Sequence, residues 1–410
     1  MLTQMVRVVD NTDSSQFNSD SILFLDVETT TFNKGHPFDP RNKLVSYVTF
    51  SKQSGVSFKH FNDPDFYSHI MDAVLSSNIL AGFNIKFDLH WLRRINVLPM
   101  PSTKIWDFQL GEFILSGQQN RFASLEDTYQ SYGMDGKKSH EIEDYWNAGV
   151  DTDQIPVGVL ERRGIGDVQP LPELFNAQWN LLSPKQRTLV WLEGEDLKAL
   201  ADAEYNGVKF DVEKAGIKVD GLGKELEAIN HELNAYLPLD IPNGCFNWDS
   251  GDHLSAFLYG GTIEFKYVSE ILTYKTGSRA GTPYNKWSTK LVEFTQRFKP
   301  LEGTEVAKTK DNPEATVRFF QTDGPTLSRL TAKSRESKAI LNWLQERADK
   351  TKVVEMVESI LNKMKEKNWQ DNMLHAQYNQ NQVITGRLSS SQPNLQNTPP
   401  EIDKLLVSRY

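Results

Sequence analysis

The stretch Ile22-Leu23-Phe24-Leu25-Asp26-Val27-Glu28-Thr29-Thr30 decides how the rest of the chain is read. Four apolar residues run into an acid, one further apolar residue and a second acid. An apolar run this short, after the turn-like Asn18-Ser19-Asp20-Ser21, predicts a buried strand over 22–27. Side chains alternate along a strand, so Asp26 and Glu28 share a face. Two carboxylates on one face repel, and hard divalent ions with oxygen ligands are the usual remedy. Alone, the stretch fits slightly better a strand end opening into solvent with two exposed acids.

A second acidic stretch shifts that balance. In Gly82-Phe83-Asn84-Ile85-Lys86-Phe87-Asp88-Leu89-His90-Trp91-Leu92 a short strand delivers the chain to Asn84. Asn84 is placed to cap a helix over 87–95, and Asp88 follows one turn later on the face of Asn84 and Leu92. By itself Asp88 is a helix-start acid favoured by the helix dipole. Together with the strand Asp-x-Glu it makes a set able to hold two divalent ions. Two ions about 3.5–4 Å apart are a recognised means of cutting a phosphodiester by in-line attack.

The totals bound the answer. The chain has 410 residues, 39% hydrophobic and 24% charged, with a net charge of −9. That length allows two or three domains. The acidic balance argues against a generally basic nucleic-acid coat but leaves room for local basic surfaces. One cysteine, Cys245, excludes an internal disulfide and a cysteine zinc site, and fits a reducing cytosol. No apolar run approaches the ~18 residues of a membrane span, so no membrane partner is expected. Residues 1–20 are too polar and acidic for a signal peptide, and 1–21 read as a flexible lead-in with a first strand over 5–9.

Further strands are predicted over 44–50, 55–61 and 79–83, the first two as an antiparallel hairpin. Helices are predicted over 66–76, 87–95, 105–116, 124–132 and 183–203, with Ser183 as cap and Pro184 at the first helical position. Residues 149–172 read as loop-rich. The mixture makes an α/β domain over 1–204. From there the character becomes mainly helical. Helices are predicted over 213–237, 247–258 and 337–367, around an irregular or β-hairpin insertion at 263–325. The apolar face of the last helix predicts packing against 213–237.

Asp26-Val27-Glu28 and Asn84-Ile85-Lys86-Phe87-Asp88-x-x-x-Leu92 resemble the first two motifs of the DEDD 3′–5′ exonucleases. The resemblance implies a ribonuclease-H-like fold and four carboxylates holding two Mg²⁺ or Mn²⁺ ions. The fourth carboxylate of the family sits in Tyr-x-x-x-Asp on a helix. Asp167 and Asp196 both compete for it, and neither has the tyrosine: Arg163 and Leu192 stand there. Asp167 is preferred, because Asp196 would already lie in the helix leading to the next domain. The missing tyrosine implies a slower nuclease without loss of metal binding. Asp107 resembles a recurrent position of these domains, as a helix cap or supporting acid beside Asn84 and not as a ligand. His90 and His140 read as surface residues. Phe32, Phe83, Phe87 and Leu92 are candidates to stack or wedge terminal bases, with core packing the alternative for Phe83 and Phe87.

A longer match lies at the other end. Leu374-His375-Ala376-Gln377-Tyr378-Asn379-Gln380, followed by Thr385-Gly386-Arg387-Leu388-Ser389-Ser390-Ser391-Gln392-Pro393-Asn394-Leu395-Gln396-Asn397, resembles the family A DNA polymerases. One departure is Val383, often a threonine in the family. Arg387 can grip a phosphate in a fork. Thr385, Ser389 and Ser390 add short donors, and Asn394, Gln396 and Asn397 can read minor-groove acceptors common to all base pairs. The resemblance implies a thumb over 205–370 and the start of the palm over 371–410. Its implied partner is DNA, as primer-template duplex and as a single-stranded 3′ end.

The catalytic palm and fingers motifs of nucleotide transfer are absent from the sequence. The expectation is the N-terminal part of a split, phage-like polymerase, completed by a separate palm and fingers chain in a bacterial or phage-infected cytosol. A processivity factor is compatible with it. Three alternatives stand beside it: a DNA-holding subunit whose exonuclease has decayed, a truncated polymerase fragment, and a free-standing nuclease.

Overall fold

The computed structural model describes residues 21–134, 141–306 and 319–407. The lead-in up to residue 20, the strand expected over 5–9, and His140 lie outside them. The described residues fall into two units, one within Met1–Val212 and Ser359–Tyr410, the other within Glu213–Glu358.

The first unit is built on a five-stranded sheet. Strand β1 (Ile22–Thr29) pairs antiparallel with β2 (Leu44–Ser51), and β2 pairs antiparallel with β3 (Gly55–His60). Helix α1 (Phe66–Ser76) leads to β4 (Ile79–Gly82), which runs parallel to β1. Helix α2 (Lys86–Arg94) leads to β5 (Lys104–Asp107), parallel to β4. The order across the sheet is β3-β2-β1-β4-β5, with β1 in the middle. Its alternating side chains serve two cores. Leu23, Leu25 and Val27 pack with Ile70, Leu89, Trp91 and Leu197 on one face. Ile22 and Phe24 pack with Trp106, Phe108 and Phe175 on the other.

Residues 104–107 are a strand and not the start of a helix over 105–116. Their backbone completes the edge of the sheet beside β4, and Trp106 is fully buried in the second core. Helix α3 (Phe108–Leu115) begins only after Asp107, whose side chain caps it. Helices α4 (Leu125–Ser131) and α5 (Glu141–Asn147) follow.

The segment 149–172, read as loop-rich, is instead largely helical, with α6 (Val157–Val168) and then α7 (Leu171–Leu181). The prolines of this segment sit where helices begin. Pro156 and Pro170 are N-caps and Pro172 lies in the first turn, positions at which proline's missing N–H costs no helical bond. Helix α6 lies on the sheet at Gly164, where an added Cβ would come within 2.6 Å of the Val48 side chain. Helix α8 (Pro184–Asn206) starts with a full capping box between Ser183 and Gln186. It touches the β5 backbone at Gly194, where a Cβ would stand 2.3 Å from the Ile105 carbonyl oxygen. Strand β6 (Val208–Phe210) then pairs with both Met373–Leu374 and Leu406–Val407, so the polymerase-like tail folds with this unit.

The second unit carries the helix Val212–Asn234 and the long helix Arg335–Glu366, joined by polar contacts. Arg347 Nε donates to Asn230 Oδ1 at 2.9 Å, and Lys350 pairs with Glu225. Between them come the helix Gly251–Tyr259, capped by Ser250, and a hairpin of Gly261–Thr273 with Pro283–Phe294. Leu233, Phe257, Val292, Phe294 and Leu344 share its core. Among the described residues no helix is long and apolar enough to cross a membrane.

Candidate functional site

Strand β1 points Asp26 and Glu28 to the face covered by α6, because they continue the alternation of Ile22 and Phe24. Helix α6 carries Asp167 to the same place. One carboxylate oxygen from each of Asp26, Glu28 and Asp167 lies within 4.8 Å of the others. Asp167 is buried, and Asp196 is exposed on α8, outside this group.

Asp88 approaches from α2, on the opposite face of the sheet. Its Oδ1 accepts the Val27 backbone N–H at 3.0 Å, at the strand end between the two other acids. Burial pushes the Asp26 carboxyl well above its ordinary range, and the carboxylates of Asp88, Asp167 and Glu28 push it further. Burial also raises Asp88, against the hydrogen bond from Val27. So much negative charge in one desolvated place calls for a cation. Oxygen donors from carboxylates are the donor set that Mg²⁺ and Mn²⁺ take, so the residues present fit such an ion.

One cation is already part of the centre. Arg163, one helical turn before Asp167, pairs with it through Nε. The same nitrogen is 3.8 Å from Glu28 Oε1, and Nη1 is 3.2 Å from Glu143 Oε1. Burial opposes the guanidinium charge, but Asp167 and Glu28 outweigh it and hold Arg163 charged more firmly than usual.

Asp107 supports the centre from behind. Its Oδ1 accepts the N–H of Gln109 at 2.8 Å and of Leu110 at 3.1 Å, while Oδ2 accepts that of Ile85 at 2.9 Å. This corrects the expected role of Asn84. Asn84 is left-handed at φ 55°, and the N-cap of α2 is Ile85, which makes no side-chain capping hydrogen bond. Burial pushes the Asp107 carboxyl up to about 6. A raised acid favours the folded state only while protonated. Its contribution is complete below the ordinary value of 3.8 and is lost as the pH rises through about 6. Asp107→Asn is therefore expected to flatten the fall of stability between roughly pH 4 and 6. Urea midpoints measured against pH check this, and an unchanged slope would refute it.

The acids open into a cleft of about 470 Å³ lined also by Phe83, Asn84, Phe87, Phe122 and Arg163. A second cleft of about 260 Å³ shares Asn84, Phe87 and Phe122 and reaches Lys86, Glu204 and Tyr378. Leu92, a candidate wedge, is fully buried and cannot touch a strand end. Phe32 is exposed, with Arg41 over its ring. Phe122 was not legible in the sequence: it is 51% exposed at the rim of both clefts, at φ 52°.

His90 corrects another expectation, being buried instead of on the surface. Its Nε2 lies 2.7 Å from Glu204 Oε2. Glu204, also missed, accepts from Lys86 Nζ at 2.6 Å and from the Tyr378 N–H at 2.6 Å. Burial opposes its charge, but His90 and Lys86 outweigh that and lower its carboxyl below the ordinary value.

In the tail, Ser389–Ser391 pairs with Gln377–Asn379. Thr385, Arg387, Asn394, Gln396 and Asn397 are exposed. Ser390 is not available as a donor to a ligand: it is buried, donates to the Pro393 carbonyl at 3.3 Å and accepts the Leu395 N–H. Ser389 Oγ donates to Gln382 Oε1 at 2.5 Å, and Asn394 Oδ1 accepts the Gln396 N–H at 3.0 Å. These hydrogen bonds shape the loop that holds Arg387 outward.

Residues 280–408 match the family described as DNA polymerase family A. Among solved structures the chain is similar to the POL domain of Pol1 from M. smegmatis, in complex with DNA primer-template and dNTP. That match has a TM-score of 0.62 at 16% identity, over 93% of this chain and 53% of the other. The likeness is one of fold, and the chain spans about half the length of that relative. No curated protein sequence matches the chain.

Proposed function

We propose that the chain, whose residues 280–408 match DNA polymerase family A, joins a metal-dependent 3′–5′ exonuclease domain to the thumb and first part of the palm. The observation that carries the nuclease reading is the convergence of Asp26, Glu28 and Asp167 beside Asp88 at the end of the central strand. A sheet ordered β3-β2-β1-β4-β5, with two antiparallel and two parallel pairings, supports a ribonuclease-H-like fold for residues 1–204.

In this reading Asp26, Glu28 and Asp167 hold Mg²⁺ or Mn²⁺, with Asp88 completing the acidic set. The bound metal supplies Lewis-acid charge and an activated water for phosphodiester hydrolysis. The chain's own residues do the rest. Val27 N–H fixes the Asp88 carboxylate. Asp107 fixes the start of α2. Phe83, Phe87 and Phe122 offer aromatic surface in the cleft for the unpaired bases of a 3′ end.

The unit Glu213–Glu358 is proposed as the main part of the thumb, and residues 371–410 as the start of the palm, with Arg387 and the exposed amides against primer-template DNA. Polymerisation is proposed only in company with palm and fingers elements.

The wild-type chain is expected to shorten a 3′-labelled single strand when Mg²⁺ or Mn²⁺ is added and not when both are withheld. No shortening with either ion would overturn the nuclease reading. It would favour a DNA-holding polymerase subunit with a decayed exonuclease, which Arg163 at the tyrosine position also favours.

A further inference from the structure

We propose that Arg163 is a resident cation of the carboxylate centre and excludes one divalent ion from it, so that the centre takes a single ion where the acids alone would take two. The proposal rests on the metal reading above and concerns what this chain has done to that site.

Three contacts hold the guanidinium in place. Nε pairs with Asp167 and lies 3.8 Å from Glu28 Oε1, while Nη1 lies 3.2 Å from Glu143 Oε1. The side chain is only 17% exposed. Its position one turn before Asp167 on α6 puts it on the same helix face, and α6 cannot lift easily from a sheet that it meets at Gly164. The planar fork suits this task, since it binds carboxylates from a fixed direction and stays charged at any working pH.

The oxygen supply points the same way. Among the described residues, three carboxylate oxygens converge, one each from Asp26, Glu28 and Asp167. Three protein oxygens with water in the remaining positions suit one octahedral ion. A second ion needs further oxygens, and of those nearby Asp167 Oδ2 is held by Arg163 and Asp88 Oδ1 by the Val27 N–H. A guanidinium on Asp167 also repels a divalent ion brought to the same carboxylate.

Ion stoichiometry tests this without reference to activity. The full chain is stripped of metal and titrated with Mn²⁺ by calorimetry and by electron paramagnetic resonance. The wild type is expected to bind one ion at the centre and Arg163→Met two. Arg163→Gln, which keeps length and hydrogen bonding without charge, also binds two. Arg163→Lys, which keeps the charge, binds one. Circular dichroism melts confirm that each variant folds, and the Gln and Lys variants carry the comparison should Met fail. Equal counts in the wild type and the uncharged variants overturn the proposal. Asp26→Ala/Glu28→Ala separates the two readings. If it leaves Mn²⁺ binding untouched, the metal assignment itself fails. If it abolishes binding while the Arg163 variants match the wild type, only the role of Arg163 fails.

Discussion

Replacing Asp26 and Glu28 together by alanine is expected to lower the metal-dependent shortening of a 3′-labelled single strand by roughly 10³-fold or more. The two residues supply two of the three converging oxygens, and both come from one strand end. Losing one fixed electrostatic contact at such a centre costs about 10²–10³ in rate. Losing two leaves Asp167 paired with Arg163 and too little charge to hold an ion. The fold should survive, because Ile22, Leu23, Phe24, Leu25 and Val27, the residues of β1 that form both cores, are left in place. Asp26 in particular is a burden on the folded state when ionised, since burial and three neighbouring carboxylates raise it. The double variant should therefore melt no lower than the wild type at neutral pH in the absence of metal. Loss of activity with an unchanged or higher melting temperature is the expected pair of results. Unchanged nuclease activity would move the chemistry elsewhere.

The second large effect lies at Glu204. This residue is 2% exposed and ties together the helix α2, the helix α8 and the tail of the chain. Its carboxylate receives Lys86 Nζ and the Tyr378 N–H, with His90 at 2.7 Å. Its backbone oxygen is 2.8 Å from His375 Nδ1. Lys86 also donates to the Tyr378 carbonyl, and Phe38 stacks on His375 with ring centroids 4.0 Å apart. Glu204→Ala leaves a largely buried ammonium and a backbone donor without their shared acceptor. Removing one partner of a buried pair costs about 3–5 kcal/mol. An unfolding free energy lowered by that amount in urea titrations is expected, with early proteolytic cleavage in the segment 373–391. Glu204→Gln keeps an acceptor for Lys86 and should cost less. Equal stability of all three proteins would show that the tail is held by its strand pairing with β6 alone.

The first acidic motif and its strand were legible because local patterning set them. An apolar run with two following acids has one comfortable arrangement, a buried strand whose end leaves the sheet core, and alternation puts Asp26 beside Glu28. The same holds for α8, whose Ser183 and Pro184 signals act within one turn, and for the exposed Arg387 in its polar loop. The choice of Asp167 was legible only as a preference. Pro170 and Pro172 look like loop residues until the ends of α6 and α7 are known, and a sequence does not say on which side of a boundary a proline falls.

What the sequence by itself determined, then, is the kind of molecule: a strand-borne carboxylate pair, a helix acid and a polymerase-like tail on one chain. What only the tertiary structure decided is who meets whom. Asp88 is turned to Val27 N–H, His90 is buried against Glu204, Trp106 sits in a strand, and Arg163 lies among the acids. The reason is physical. Periodicity, capping and turn chemistry act over a few residues, whereas Val27 meets Asp88 61 positions away, His90 meets Glu204 114 away and Glu204 meets Tyr378 174 away. Contacts at that separation exist only once the sheet and its helices have packed.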